Sequence, residues 1–278
     1  MRGPKAGDAA MIAEWTIPSA LADFHDIENA LEGRRAAVFL DYDGTLTPIV
    51  DTPEQAVLTD EMRAVVRRLG DRCVTAIVSG RTRKDVQAHV RLDNLFYAGT
   101  HGFEIVGPEG SGIHHEVGQE FLPAMEELHR RLRRAIGDTP GLLLETKGYS
   151  LAVHYRLVRE SAVARVGSVV DESMSDYPTL RKTHGKKVFE IRPRFDWDKG
   201  KAVQWILQAL DLDRADMVPF YLGDDTTDED AFEAVDGRGI GILVADEPRP
   251  TAARYRLEDS AEVARFLQGL VRVLHEPT

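Results

Sequence analysis

Cysteine is almost absent from this sequence: its 278 residues include one, Cys73. A lone thiol excludes an intrachain disulfide and any cysteine-based zinc site. Beside the apolar run Val74–Val78, Cys73 reads as a core thiol rather than a reactive one. Long apolar runs are missing as well. Nothing approaches the roughly 18 consecutive apolar residues of a membrane span, so no membrane partner is expected. Met1–Ala10 is polar and lacks the apolar centre of a signal peptide, which makes the cytoplasm the expected location. Positive charge is in deficit: a net charge of −11 argues against nucleic acid as a partner, because its phosphates need a basic surface. No repeat of about 20 to 50 residues and no low-complexity tract interrupts the chain.

What is present is an ordinary globular composition, 43% hydrophobic and 29% charged, with room for two domains at roughly 150 residues each. A monomer is expected. Short apolar runs alternate with amphipathic stretches. Ala36–Leu40, Val74–Val78 and Val218–Leu222 are unbroken apolar segments, as strands covered on both faces are. Thr59–Leu69, Arg83–Val90, Lys199–Leu210, Asp228–Val235 and Ala261–Leu274 are helix candidates. The alternation predicts an α/β fold, a Rossmann-like parallel sheet with helices on both faces. The middle of the chain departs from it. A long helix candidate (Gln119–Ile136) is followed by two strands, Leu142–Thr146 and Tyr149–Tyr155, turning at Lys147-Gly148, then by a second helix candidate (Arg159–Met174) and a strand (Lys187–Ile191). This predicts a smaller α+β domain inserted over 107–195, a core of 26–106 and 196–278, and a separate N-terminal segment over 1–25. The insert is close to neutral while the rest carries the acidic excess. That suits a lid over an anionic ligand, although a plain difference in composition accounts for it too.

Ligands collect at the carboxyl ends of strands in such sheets, and each of the three apolar runs ends in polar residues. Asp41-Tyr42-Asp43-Gly44-Thr45 follows the first. Residues two apart on an extended chain point the same way, so Asp41 and Asp43 present two carboxylates together, and Gly44 lets the chain turn sharply. Such a pair raises its own pKa values unless a cation lies nearby. One member can then ligate a hard cation and attack while the other carries a proton. Ser79-Gly80-Arg81 follows the second run; a hydroxyl and free backbone N–H groups at a helix start suit phosphoryl oxygens, though serine there is equally a helix N-cap. Asp198-Lys199-Gly200-Lys201 opens a helix, where a lysine is unfavourable against the dipole unless an anion compensates. Spacing leaves open which lysine enters a site. After the third run, Asp224 stands where a magnesium ligand would be placed, and Asp228 on the next turn could reach the same ion through water. Glu229 and Asp230 read as favourable first-turn helix charges. His101 either lines the cleft or is a structural histidine; His114 and His115 lack ligand spacing.

Together these strings resemble the haloacid dehalogenase superfamily of phosphohydrolases. More narrowly, Leu40-Asp41-Tyr42-Asp43-Gly44-Thr45-Leu46-Thr47-Pro48-Ile49-Val50 resembles the trehalose-6-phosphate phosphatases. So do Glu145-Thr146-Lys147-Gly148-Tyr149, Lys187-Val188-Phe189-Glu190-Ile191-Arg192-Pro193 and the stretch from Gly223 to Phe232. The resemblance implies magnesium-dependent hydrolysis of trehalose 6-phosphate, the last step of trehalose biosynthesis, through an aspartyl-phosphate. Asp41 would be the nucleophile, Asp43 the general acid/base, Ser79 the holder of the phosphoryl group and Lys199 its neutralising charge. Magnesium would be held by Asp41, the Asp43 backbone carbonyl and Asp224, with Asp228 as a further metal residue acting through water. Gly44, Thr45, Gly80, Arg81 and His101 would border the substrate. The insert would close over the sugar, with Glu145, Lys147, Arg156 and Glu190 contacting its hydroxyls. The asparagine that often precedes the motif lysine is Asp198 here. Sucrose-6-phosphate or mannosyl-3-phosphoglycerate phosphatases would share this chemistry and differ in the insert. A phosphomutase would have to retain its phosphoenzyme, and a phospho-acceptor signalling module has no use for Asp43.

Overall fold

The computed structural model describes residues 17–50, 52–185 and 187–274; most of the segment expected over 1–25 lies outside them. After α1 (Phe24–Leu31), the apolar runs become strands because nearly every residue in them is buried: β1 (Arg35–Leu40), β2 (Val74–Val78) and β3 (Phe96–Gly99). Between them run α2 (Asp60–Gly70) and α3 (Arg83–Val90). Each starts where a threonine hydroxyl accepts from a backbone N–H, Thr59 from Met62 and Thr82 from Asp85. β4 (Glu104–Val106) and β5 (His114–Glu116) follow. Then come α4 (Leu122–Ile136), β6 (Leu143–Lys147), β7 (Ser150–His154), α5 (Glu160–Met174), β8 (Leu180–Gly185) and β9 (Val188–Pro193). The chain closes with α6 (Lys199–Ala209), β10 (Met217–Gly223), α7 (Glu229–Val235), β11 (Ile240–Val244), β12 (Tyr255–Leu257) and α8 (Ser260–Val273).

Two sheets result. The larger has the order β12-β11-β10-β1-β2-β3-β4-β5, parallel from β12 to β3 and antiparallel beyond. Its two faces carry separate apolar layers. One is built with α1, α2, α3 and α8 around Phe220, Phe266 and Leu69, and the other with α6 and α7 around Phe39, Tyr221 and Phe232. The smaller sheet is antiparallel, β6-β7-β9-β8, with one face packed on α4 and α5 through Leu128, Leu132, Val166 and Ile191. Since β5 pairs with β4, the larger sheet runs past residue 107, and the smaller one occupies 143–193.

Two local readings shift. The hairpin turns at Gly148-Tyr149 rather than Lys147-Gly148: Lys147 pairs with Ser150, and Gly148 takes a φ of +57°, which glycine adopts without a Cβ penalty. The Tyr149 ring thereby leaves the hairpin, stacks on Phe103 at 4.8 Å and donates its hydroxyl to Glu116 at 2.6 Å, tying the smaller sheet to the end of the larger. β8 has no counterpart in the sequence reading. It is an edge strand, exposed along most of its length, and its Arg-Lys-Thr-His run carries no apolar periodicity. Among the described residues no helix is long and apolar enough to cross a membrane.

The buried ring of Phe266 meets Phe24 edge-on at 5.7 Å and Phe220 at 6.5 Å, joining α8 to α1 and β10. Replacing it with alanine removes a core aromatic. Phe266→Ala is expected to lower the unfolding free energy by about 3–5 kcal/mol, measured by urea denaturation.

Candidate active site

Strand register builds the site. Leu40 lies opposite both Leu222 and Ile77, so three neighbouring parallel strands end together. Asp41, Ser79 and Asp224 therefore emerge along one sheet edge, and Asp41 N–H still pairs with Leu222. Beyond Asp41 the chain curls back: Leu46 and Thr47 both donate to the Tyr42 carbonyl. The curl runs through Gly44 at φ +84°, and a Cβ there would sit 2.1 Å from the Asp224 carboxylate. Glycine is required twice over, for the conformation and for the approach. The Thr45 hydroxyl, at 3.1 Å, donates to that same carboxylate.

Lys199 settles which lysine enters. It is buried at the first turn of α6, its ammonium 3.0 Å from Asp41 and 2.7 Å from Asp228, while Lys201 pairs with Asp196 and Asp198 at the surface. Asp228 is wholly buried and surrounded by donors. One oxygen accepts from Lys199 and from the Tyr221 hydroxyl at 2.6 Å; the other accepts from the backbone N–H groups of Asp224 and Asp225 at 3.1 and 2.9 Å. Glu229 and Asp230 open α7 as expected.

Ser79 is not the helix cap, a position Thr82 takes; its buried oxygen accepts from Arg81 N–H at 3.1 Å, in a turn whose Gly80 and Arg81 are half-buried. That turn is braced by Thr100 and His101, whose N–H groups donate to the Arg81 and Ser79 carbonyls. His101 abuts Gly80, where a Cβ would lie 3.0 Å from its ring. Burial, then the charges of Lys199 and Arg192, lower its pKa to about 3, so the ring is neutral. Arg81 forms a forked pair with Asp43 at 2.7 Å through Nε and Nη2, and also donates to Asp85 and to the Pro53 carbonyl. Expected beside the substrate, its guanidinium is committed here to protein partners.

These residues floor a cleft of about 870 Å³ whose opposite wall comes from the smaller sheet through Glu145, Thr146, Ser150, Glu190 and Arg192. Thr45, Ser79 and Asp228 lie beneath the floor rather than in it. Glu145 contacts His154 at 2.9 Å and Glu190 contacts Arg192 at 2.7 Å. Arg156 does not line the cleft. It is exposed in the turn after β7, roughly 15–20 Å along the chain from Ser150 at about 3.3 Å per strand residue. The Lys147 side chain lies outside the described residues. Tyr221, His154 and Arg192 were not singled out by sequence. Tyr221 sits inside an apolar strand and Arg192 on the half-exposed face of an alternating one, and no local spacing signals a partner found only in three dimensions.

The charge balance defines what the site can hold. Asp41, Asp224 and Asp228 bring carboxylate oxygens within 4.8 Å of one another. Burial raises the Asp41 pKa well above the ordinary range, Lys199 opposes this, and Asp228 and Asp224 add to it. Asp224 is pushed up to about 6 by burial and by Asp228. Burial lowers the Lys199 pKa, but Asp41 and Asp228 together outweigh it and keep the ammonium charged. One buried ammonium against three carboxylates leaves negative charge uncompensated. Hard oxygen donors in that deficit suit a magnesium-like cation.

The sheet, its strand-end carboxylates and the inserted smaller sheet define a hydrolase of the haloacid dehalogenase type. A haloacid dehalogenase-like hydrolase from Bacteroides thetaiotaomicron shares the fold at TM-score 0.62 and 16% identity, covering 85% of this chain and 100% of that one. The chain belongs to the trehalose-phosphatase family, whose sequence profile matches residues 39–261. It is 46% identical over 268 residues to trehalose 6-phosphate phosphatase RA3 of Zea mays, covering 91% of this chain and 74% of that protein. The structure of trehalose-6-phosphate phosphatase from Aspergillus fumigatus superposes at TM-score 0.68 with 25% identity, covering 92% of this chain and 99% of that one.

The Asp224 shift sets a pH dependence. With a folded-state pKa near 6 against an ordinary 3.8, this acid favours the folded state while protonated. Its stabilising share is complete below the ordinary value and lost as pH rises through about 6. A cation bound among these carboxylates would take the place of that proton. At a hundredfold excess over Kd, magnesium should add about 2.7 kcal/mol, or roughly 5–10 °C in Tm, at pH 7.5 and markedly less at pH 5, where protons compete. Thermal unfolding with EDTA and with magnesium at both pH values checks this; equal shifts would place the cation away from these carboxylates.

Proposed function

We propose that this protein hydrolyses trehalose 6-phosphate to trehalose and inorganic phosphate through an aspartyl-phosphate on Asp41. The observation that carries the reading is the position of Asp41: at the end of a central strand, on the cleft floor, with a buried lysine 3.0 Å from its carboxylate. The family membership and the names of its relatives supply the sugar.

An Asp41 oxygen attacks phosphorus as the bond to the sugar O6 breaks. Lys199 offsets the charge near the reacting oxygens. Asp43 gives a proton to the leaving sugar oxygen and then takes one from the water that hydrolyses the acyl phosphate. To do so one oxygen of the Asp43 carboxyl turns from Arg81 to the leaving oxygen while the other keeps its bond to the guanidinium. Magnesium between Asp41, the Asp43 carbonyl and Asp224, when bound, would neutralise charge on the phosphoryl oxygens. Asp228, already supplied with four donors, positions Lys199 and the Asp224 loop. The Ser79–Arg81 turn would present its Gly80 edge to the phosphoryl group. The smaller sheet acts as the cap, and Glu145 and Glu190 offer acceptors to sugar hydroxyls, Glu145 held by His154 and Glu190 by Arg192. A cap that excludes water protects the step in which the sugar leaves.

The first test is a phosphate-release assay over a panel of sugar phosphates including trehalose 6-phosphate and sucrose 6-phosphate; no preference for the trehalose ester would reject the substrate. Asp41→Asn should cut turnover by at least about 10⁴-fold, the scale lost when a covalent nucleophile is removed, with trehalose 6-phosphate binding retained by calorimetry. Glu145→Ala and Glu190→Ala should each raise KM for trehalose 6-phosphate roughly 10-fold, one lost hydrogen bond to a charged group, with little change for a small aryl phosphate.

A further inference from the structure

The three arginine and lysine side chains described in the cleft wall differ in how far protein groups occupy them. Lys199 is shared between Asp41 and Asp228. Arg81 is held by Asp43, Asp85 and the Pro53 carbonyl. Arg192 is held at one corner only. Its Nη2 donates to Glu190, and its Nε–H is buried with no hydrogen-bond partner among the described residues. A buried donor without an acceptor is costly, and in native proteins such groups are rare enough to need a reason. The floor beneath the cleft makes the need for a cation plain, since Asp41, Asp43, Asp224 and Asp228 crowd there in a protein of net charge −11. An anionic phosphate must find positive charge that those carboxylates have not already claimed.

Arg192 is well placed to supply it. Strand alternation puts it on the same face of β9 as Glu190, the face turned to the cleft. It also borders a smaller cavity of about 100 Å³ together with His101 and Lys199, so it stands beside the reaction centre as well as beside the sugar wall. Its charge is felt at His101. Across the sheet it pairs with Arg181 of β8, which lines that smaller cavity too, so positive charge concentrates at this end of the face while Glu190 and Glu145 stand one row away.

We propose that Arg192 is a phosphate-binding residue, a cation carried by the smaller sheet that reads the phosphoryl oxygens of the substrate while Glu190 beside it reads the sugar. The proposal rests on the phosphatase reading above. A guanidinium fork matches phosphate oxygens, and in a sugar 6-phosphate the phosphoryl group and the ring hydroxyls are near neighbours, as Arg192 and Glu190 are. The phosphate then bridges the two sheets, so substrate rather than sugar alone draws them together.

The test is steady-state kinetics of wild type, Arg192→Ala, Arg192→Gln and Arg192→Lys with magnesium, on trehalose 6-phosphate and on a small aryl phosphate, plus the inhibition constant of inorganic phosphate. Arg192→Ala should raise KM for both substrates and the phosphate inhibition constant roughly 10–100-fold, the span of a charge-assisted hydrogen bond. Lysine should restore part of this, as a point charge without the fork. If the alanine variant unfolds, the near-isosteric glutamine variant carries the same expectation. A KM increase confined to the sugar phosphate, a fall in kcat alone, or no change in the inhibition constant would overturn the proposal. Wild type that cleaves the aryl phosphate but not trehalose 6-phosphate would instead reject the sugar, leaving Arg192 to be judged on the other two readouts.

Discussion

The buried ammonium of Lys199 between Asp41 and Asp228 is the interaction on which the rest of the site depends. Taking three such charges out of water is costly, and their attraction offsets that cost only where the remaining lone pairs and protons are also satisfied. Tyr221 and two backbone N–H groups provide this for Asp228, which is why the segment after β10 has to turn where it does. Capping by Asp198 sets α6 so that its first residue, rather than its third, points inward. Removing the lysine would leave two carboxylates facing each other in a dry site; removing Asp228 would leave an ammonium with half its compensation and two orphaned amides. The arrangement tolerates little variation because each member is another's solvent.

Parallel pairing brings the members together at low conformational cost. Adjacent strands are about 4.8 Å apart, so residues at the ends of β10, β1 and β2 are already within reach once the register is set. The close passage at Gly44 then brings the first loop against Asp224, and Thr45 fixes the contact. The curl after Asp41 is thus shaped by a residue almost two hundred positions later, and both are set by apolar strands whose burial stabilises the sheet.

That division explains what was legible in advance. The strands could be read because burial on both faces demands unbroken apolar runs, and the site because a polar residue directly after such a run has one sheet edge to go to. Asp41, Ser79, Asp224 and the lysine-bearing helix start could be placed on that ground. Partnerships could not. Nothing in Ser79-Gly80-Arg81 says that its guanidinium closes a fork on Asp43, and nothing in an acidic run distinguishes the wholly buried Asp228 from its exposed neighbour Asp225. Arg156 is a sugar contact only by resemblance; it stands exposed in the turn after β7, apart from the residues that line the cleft. β8 escaped notice because an exposed edge strand needs no apolar pattern.

A protein with a strong negative charge that binds an anion has to solve the problem locally. The larger sheet cannot do so by itself: its carboxylates outnumber its cations at the strand ends, and both cations there are held by those carboxylates. This deficit is what makes a metal fit the floor. It also gives the nearly neutral insert a role beyond shape, since positive charge on its cleft face lies on the far side of the substrate from the carboxylates and is not neutralised by them. Arg192 on that face is held by Glu190 through one Nη2 bond, and its charge stands across the cleft from the strand-end carboxylates, the two sheets being joined by the Tyr149 contact. The separation into two sheets is in this view an electrostatic requirement of the chemistry as much as a means of enclosing the sugar.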